Sequence, residues 1–349
     1  MKIGIALPTS HQGVYLPSPF VGGRELISIA QTAEHFGFDS AWALDFMTPF
    51  YERHRQPDQL PQWYEAMVSL GFVASATRCI KLGTATIQLP LRDPFLLARQ
   101  AATLDALSDG RFALGVGLGQ ARSEFTGIRP QDAGRHRGEL LDESLAALHQ
   151  FFTSHAVSFD GNHYRCHDLR LTPRTCQVPL PIYLAGTTER TPERVAKWAA
   201  GWFLSRAQTR DVNQPIDALT RCLERVGRKR NEIDLVVTKG LSLASTQKQA
   251  MAQFNASMLP GRMDELAIEY GLKDNPSHNG VLSQNLIGPP DSVAEQLDQV
   301  RQSGVDHCVI MYFAVTAVEG LLDQLQWFGE EVLPLLSWHS RTFPAHDGV

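Results

Sequence analysis

Short apolar runs rich in β-branched residues alternate with longer helical patterns along the whole chain. The candidate strands are 2–7, 40–45, 80–89, 112–119, 182–186, 201–205, 234–244 and 307–313. Parallel strands that are buried on both faces read as nearly continuous hydrophobic runs, and 112–116 and 308–312 have this character. Eight such strands separated by helices predict an α/β fold, a (β/α)8 TIM barrel, rather than an open sheet.

Two of the intervening helices carry clear end signals. Residues 23–36 place apolar side chains at helical spacing and stop before Gly37, which predicts a C-cap there. Residues 290–303 follow a proline pair, with Asp291 or Ser292 as the expected N-cap.

We predict a single domain over 1–349, because no linker or low-complexity segment interrupts the pattern. Two insertions, about 46–62 and 245–288, are too long for ordinary connections. Both follow strands, so they would emerge at the C-terminal face of the barrel, where such folds place their sites. They are candidate substrate lids, and insertions without a role in binding are the alternative.

Charge and cysteine content narrow the class of protein. A net charge of −5 without a dominant basic face argues against binding to nucleic acid. No apolar run approaches the ~20 residues that span a bilayer, so we expect no membrane segment. The five cysteines have no CxxC spacing, which predicts reduced thiols and a cytoplasmic protein.

Glycines at alternate positions mark the segment 115–119, which reads G-x-G-x-G. It lacks the spacing of a nucleotide-binding loop. Glycines on one face of a strand allow a flat ring system to approach the backbone, but a tight barrel interior would require small residues equally. Both explanations stay open at this point.

Polar residues follow two neighbouring predicted strands. Gly186 and Thr187 come after one strand and precede a helix, and Ser205 and Arg206 follow the next. Backbone N–H groups at a helix N-terminus and an arginine fork both suit phosphate oxygens. Ordinary helix capping is the alternative.

Asp45 ends a buried strand at the expected site face, where an unpaired carboxylate would be costly, so we predict a ligand or a hydrogen-bonding role. His307 begins the last strand and is expected to be structural. His163, Cys166 and His167 fit no closed set of metal ligands, so we predict no metal site.

The sequence resembles the bacterial luciferase-like oxidoreductases, which use flavin or the deazaflavin F420. The resemblance covers most of the chain except 46–62 and 245–284, and its order of motifs is specific although each motif alone is weak. It is carried by 80–86, 93–94, 98–105, 107–112, 115–119, 124–125, 157–161, 181–186, 287–294 and 303–307.

The resemblance implies a role for several residues of this chain. In this family a bulge at the end of the third strand often holds a non-proline cis peptide under the flavin ring, which here would join Ala85 and Thr86, next to Thr84. Asp45 would hydrogen-bond near the ring, and Gln120 and Ser123 would lie beside its polar edge. The implied phosphate end comprises Gly186, Thr187, Ser205 and Arg206.

Two positions depart from the family pattern. Many members carry a histidine directly after the acidic residue, as a proton donor or base, and this chain has Phe46 there. Luciferases carry a phosphate-binding arginine on the fourth strand, and this chain has Leu118. Arg206 could replace that arginine, whereas nothing in the sequence replaces the histidine.

These features lead us to expect a monooxygenase that uses reduced FMN and O2 to oxygenate a small organic substrate. Asp45, Phe46 and Gln120 are the predicted catalytic positions, and the resemblance adds a flavin reductase as partner and a homo-oligomeric state. The alternatives are F420-dependent hydride transfer, a flavin-binding protein without turnover, and an unrelated barrel lyase or isomerase.

Overall fold

A computed structural model describes residues 1–48, 60–119, 122–204, 211–261 and 285–339. Among the predicted site residues, Gln120, Ser205 and Arg206 lie outside the described residues, as do parts of both predicted insertions.

Parallel strands close into a barrel, as the alternating pattern predicts. In chain order the strands are β1 (Lys2–Leu7), β2 (Ser40–Ala43), β3 (Lys81–Thr84), β4 (Ile87–Gln88), β5 (Phe112–Gly117), β6 (Val157–Asp160), β7 (Arg165–Leu169), β8 (Ile182–Ala185), β9 (Gly201–Phe203), β10 (Asp234–Leu243), β11 (Asn285–Gly288) and β12 (His307–Phe313). The barrel runs β1-β2-β3-β5-β8-β9-β10-β12 and closes by pairing β12 with β1. The (β/α)8 TIM-barrel prediction is therefore confirmed.

Helices return the chain between the strands and cover the barrel. They are α1 (Gly23–Phe36), α2 (Ala66–Ala74), α3 (Pro94–Leu107), α4 (Arg122–Ile128), α5 (Arg137–Thr153), α6 (Thr191–Trp198), α7 (Asn213–Val226), α8 (Gln247–Ala256), α9 (Pro290–Gln302) and α10 (Val318–Trp327). Shorter 3-10 turns occupy Leu89–Leu91, Pro130–Asp132, Arg230–Glu232 and Leu333–Leu335, and a π-helix occupies Phe328–Val332. No helix in these described ranges combines the length and the apolar character needed to cross a membrane.

The predicted ends of two helices can be compared with the observed ones. Gly37 caps α1 in the left-handed region at φ 89°, as predicted. The predicted cap of α9 is wrong, because the N-cap is Pro289 and the helix already includes Asp291 and Ser292. The physical reason is that Pro290 suits the first helical position, where no backbone N–H is required.

The observed strands differ from the prediction in three places. The predicted strand 80–89 divides into β3 and β4, which are separated at residues 85–86. The antiparallel pair β6–β7 was not predicted. Its two strands are short, and β7 is largely exposed and shows no regular alternation of buried and exposed residues. The short strand β11 lies inside the predicted insertion 245–288 and pairs with the end of β10.

The barrel interior is polar at its N-terminal end and aromatic above it. At the N-terminal end Ser40 Oγ lies 2.9 Å from His307 Nε2, which supports the structural role expected for His307. Tyr183 donates a hydrogen bond to Asp234 (2.6 Å), and Lys2 pairs with the same carboxylate. Above this layer lies the barrel interior cluster, which comprises Ala6, Trp42, Leu44, Tyr183, Phe203, Val236, Val309 and Met311.

Candidate functional site

The mouth of the barrel, at the C-terminal ends of the strands, is lined by residues from four strands. Phe46, Ala85, Ala185 and Tyr312 are partly exposed and pack against the barrel interior cluster. They follow or end β2, β3, β8 and β12, respectively. The fold therefore brings the predicted positions 46 and 85 to one opening, close to the predicted phosphate end at Gly186.

The peptide bond between Ala85 and Thr86 is cis, at the position that the family resemblance implied. Both residues are partly exposed, whereas the residues before and after them are buried. Gly117 and Ala185 lie beside Thr86, since a Cβ at Gly117 would stand 2.9 Å from Thr86 Oγ1 and 3.6 Å from Ala185 Cβ. This surface of small residues is one on which a flat ring could lie.

Gly115 has a structural role within the barrel wall. A Cβ at this position would overlap the backbone carbonyl oxygen of Thr84. The Thr84 hydroxyl donates to Gly115 O (2.7 Å) and accepts from Gly115 N–H (2.9 Å), so its hydrogen bonds are made inside the wall. Close packing at the bulge therefore accounts for the glycine at position 115. The glycine at position 117 would allow a flat ring to approach the backbone.

The Asp45 carboxylate is held by an arginine that the sequence analysis missed. Arg92 Nη2 donates to Oδ1 (3.0 Å) and Oδ2 (2.8 Å) of Asp45, whose side chain is 1 % exposed. The same guanidinium lies 3.1 Å from Glu65 Oε1. Burial raises the pKa of Asp45, and Arg92 opposes that rise. The predicted hydrogen-bonding role exists, but its partner is a protein group.

Glu124 is a second buried carboxylate at the mouth. Gln88 Nε2 donates to Glu124 Oε2 (3.0 Å), and the backbone N–H groups of Met47 and Thr48 face the same carboxylate. Burial raises the pKa of Glu124 above its ordinary value. Glu124 therefore helps to hold the backbone that follows Asp45, whereas its predicted neighbour Ser123 is exposed.

Phe46 belongs to an aromatic wall rather than to a proton-transfer pair. Its ring centroid lies 5.3 Å from that of Trp63. Trp63 Nε1 donates to the backbone carbonyl of Gln12 (3.0 Å), which ties this wall to the segment that follows β1. Phe46 and Trp63 therefore place two apolar rings on the side of the mouth next to β2.

The predicted phosphate loop lies at the end of β8. Thr187 and Thr188 are exposed, and Thr188 Oγ1 lies 3.0 Å from the hydroxyl of Thr191 at the start of α6. Trp202 Nε1 donates to the Gly186 carbonyl (3.2 Å) and so fixes the loop. Exposed hydroxyls at a helix start can donate hydrogen bonds to an anion, and the N-cap of α6, Arg190, makes no side-chain capping hydrogen bond.

Arg137 adds a cation near the end of β5 that sequence reasoning did not single out. Its Nη1 donates to the Gly119 carbonyl (3.3 Å). Burial and the like charge of Arg122 lower the pKa of Arg137. The negative charge of Glu124 opposes this shift, and Arg137 is a candidate cation for an anion bound at the mouth.

An open cavity of about 700 Å³ lies elsewhere, between α8 and α10 at the ends of β10 and β12. None of the predicted cofactor residues that the structure describes lines this cavity. We therefore place the candidate site at the mouth, where the predicted residues meet.

Comparisons with known proteins agree with this architecture. The profile of the luciferase-like monooxygenase family matches residues 1–307. The F420-dependent glucose-6-phosphate dehydrogenase of Intrasporangium calvum is 26% identical over 304 residues, which are 83% of this chain and 89% of that protein. The pyrimidine monooxygenase RutA of Acinetobacter baylyi is 26% identical, with 97% and 95% covered.

Among solved structures, the oxygenating constituent of 3,6-diketocamphane monooxygenase from Pseudomonas putida, in complex with FMN, superposes with a TM-score of 0.69. It is 17% identical, and the match covers 96% of this chain and 98% of that one. At this identity the likeness establishes the fold. The family match and the relatives together indicate an enzyme of the luciferase-like oxidoreductase group.

Proposed function

The chain belongs to the luciferase-like monooxygenase family, and from this premise we propose that it oxygenates a small organic substrate with reduced FMN and O2. The observation that carries this proposal is the apolar wall of Phe46 and Trp63 beside a carboxylate already bonded to Arg92. Neither Asp45 nor position 46 supplies a free proton donor. A site built in this way suits chemistry that requires exclusion of water.

The bound flavin would supply the oxygen chemistry, and the residues of this chain would bind and orient it. Ala85, Thr86 and Gly117 would lie against the ring, with Thr84 holding the bulge from behind. On the sequence resemblance, Gln120 and Ser123 would contact the polar edge. Gly186, Thr187, Ser205 and Arg206 would contact the phosphate, with Arg137 nearby.

Arg137→Ala is expected to weaken FMN binding by about 1–3 kcal/mol, because a charge-assisted hydrogen bond to an anion would be lost. Arg135→Ala is the matched control, since Arg135 is exposed and pairs with Asp132 (3.0 Å). Fluorescence titration at two salt concentrations measures both affinities. Equal affinities for the two variants would exclude Arg137 from the anion site.

The direct test of the proposal is an anaerobic titration with reduced FMN, oxidised FMN and F420, followed by rapid mixing with O2. We expect reduced FMN to bind most tightly and to be reoxidised at a rate different from that of free FMN. Preferential binding of F420 would contradict the FMN assignment. Binding of neither cofactor would favour a lyase or isomerase, and tight binding without any product would favour a flavin carrier.

F420-dependent hydride transfer is the second candidate, because the dehydrogenase relative of Intrasporangium calvum bears that name. The absence of the family histidine at Phe46 weighs against it. A flavin reductase as partner, a homo-oligomeric assembly and a cytoplasmic location remain parts of the proposal that rest on the sequence analysis.

Phe46→His distinguishes water exclusion from proton transfer at this position. We expect peroxide release from reduced FMN and O2 to rise severalfold, because a polar ring would admit water to the mouth. Phe46→Leu is the control that keeps the wall apolar. Lower peroxide release in Phe46→His than in Phe46→Leu would contradict the proposed role of the wall.

A further inference from the structure

His11 follows β1 in a tight turn, in which its carbonyl accepts hydrogen bonds from the backbone N–H groups of Val14, Tyr15 and Leu16. Its ring lies against two tyrosines, with centroid distances of 5.6 Å to both Tyr15 and Tyr312. The two tyrosine rings lie 4.3 Å apart. We call His11, Tyr15 and Tyr312 the aromatic triad.

Two sets of contacts place the triad at the mouth. Tyr312 packs against the barrel interior cluster together with Phe46 and Ala85. Immediately before His11, Thr9 Oγ1 accepts from the N–H of Leu44 (3.0 Å), the residue that precedes Asp45. The triad therefore lies on the same opening as the candidate cofactor surface, on the side of β1 and β12.

His11 Nε2 is buried and has no hydrogen-bond partner among the residues that the structure describes. Burial lowers the pKa of His11 to about 3, so the imidazole is neutral at physiological pH. A neutral imidazole offers a hydrogen bond but no charge. A buried polar atom without a partner is unfavourable, and such an atom at a site face indicates a group that only a ligand supplies.

A second buried histidine shows the contrast. His307 has one ring nitrogen bonded to Ser40 and lies at the N-terminal end of the barrel, away from the mouth. Its Nδ1 also has no hydrogen-bond partner among the described residues, but the ring lies near the charges of Lys2, Asp39 and Asp234 and not at the mouth. His11 makes ring contacts only with partly exposed tyrosines among the described residues.

We propose that the aromatic triad is the substrate-positioning end of the site and binds an uncharged, flat ring compound that carries a hydrogen-bonding heteroatom. Tyr15 and Tyr312 would pack against the ring, and His11 Nε2 would hydrogen-bond to the heteroatom. His11 is then a specificity-determining residue. This inference rests on the proposed function, because it assigns the substrate of the same mouth.

The test uses four probes of similar size on the full chain, with and without FMN: acetophenone and phenol, which carry a heteroatom, toluene, which lacks one, and benzoate, which is charged. We expect acetophenone or phenol to bind about 3- to 10-fold more tightly than toluene, the range expected for one neutral hydrogen bond. Benzoate, which is charged, should bind more weakly than acetophenone and phenol. Ligand-observed NMR measures affinity, and the ¹⁵N signal of His11 Nε2 should shift on binding.

His11→Phe keeps an aromatic ring and removes Nε2, so we expect the preference over toluene to disappear. His11→Gln should restore part of it. His149→Phe is the matched control, because His149 packs on Trp198 outside the barrel (5.1 Å). If His11→Phe does not fold, the ¹⁵N shift in the wild-type protein and His11→Gln decide the question.

Equal binding of toluene and acetophenone to the wild-type protein, an unmoved His11 signal, or no binding of any probe would overturn the inference. Because the probes are also measured without cofactor, their binding can succeed when reduced FMN fails to bind. A failure of the FMN assignment is thus distinguishable from a failure of the triad.

Discussion

Gly115→Ala is expected to lower the free energy of unfolding by about 3 kcal/mol, at the upper end of the usual cost of overpacking. The added Cβ would overlap the Thr84 carbonyl oxygen, which is backbone and cannot rotate away. The two residues are already locked by two hydrogen bonds. Relief requires the bulge at Ala85 and Thr86 to move, so cofactor binding should also be lost. Urea denaturation and fluorescence titration measure the two effects.

Two further alanine substitutions make this prediction specific. At Gly127, in α4, a Cβ would meet no atom within 4 Å, so the stability of Gly127→Ala should be unchanged or slightly higher. At Gly117 the added Cβ would meet the Thr86 hydroxyl, which can rotate, so stability should fall less than at Gly115. If a ring approaches this face, Gly117→Ala should nevertheless weaken cofactor binding. Equal stability of the Gly115 and Gly127 variants would contradict our account of the bulge.

Arg92→Met should destabilise the protein at least as much as Gly115→Ala. At neutral pH we expect the free energy of unfolding to fall by about 3–5 kcal/mol, because removal of one partner leaves a buried charge uncompensated. Arg92 is the group that offsets the burial of Asp45, and it also lies against Glu65 at the start of α2. The loss should be measured by urea denaturation. The double variant Asp45→Asn with Arg92→Met should be more stable than Arg92→Met alone.

The effect of pH follows from the direction of the pKa shift. Burial raises the pKa of Asp45 in the folded state, and without Arg92 the pKa should rise further. The folded protein then binds a proton at a higher pH than the unfolded chain, so acidification stabilises it. The deficit of Arg92→Met should therefore shrink as the pH falls through the folded-state pKa and be largest above it. A deficit independent of pH would mean that Asp45 carries no buried charge.

Local pattern was sufficient for most of the architecture. The observed bounds match the predictions for the strands 2–7 and 307–313 and for the helix 23–36. A strand buried on both faces has a continuous apolar run and a helix has a period of 3.6 residues, and both patterns can be recognised in the local sequence. The family resemblance also located the cis bond between Ala85 and Thr86. The division of 80–89 into two strands was not predictable from hydrophobicity, because residues 84–86 read Thr-Ala-Thr, which is ordinary strand sequence.

The partners at the mouth were decided by the tertiary structure alone. The Asp45–Arg92 bond joins residues 47 apart in sequence, and the contact between Thr84 and Gly115 spans 31. His11 became a candidate only when the closed barrel placed it beside Tyr312 on the last strand. The sequence by itself determined which elements form and in what order. The barrel's closure determined which side chains meet, because desolvation and hydrogen bonding depend on neighbours that the chain brings together only in three dimensions.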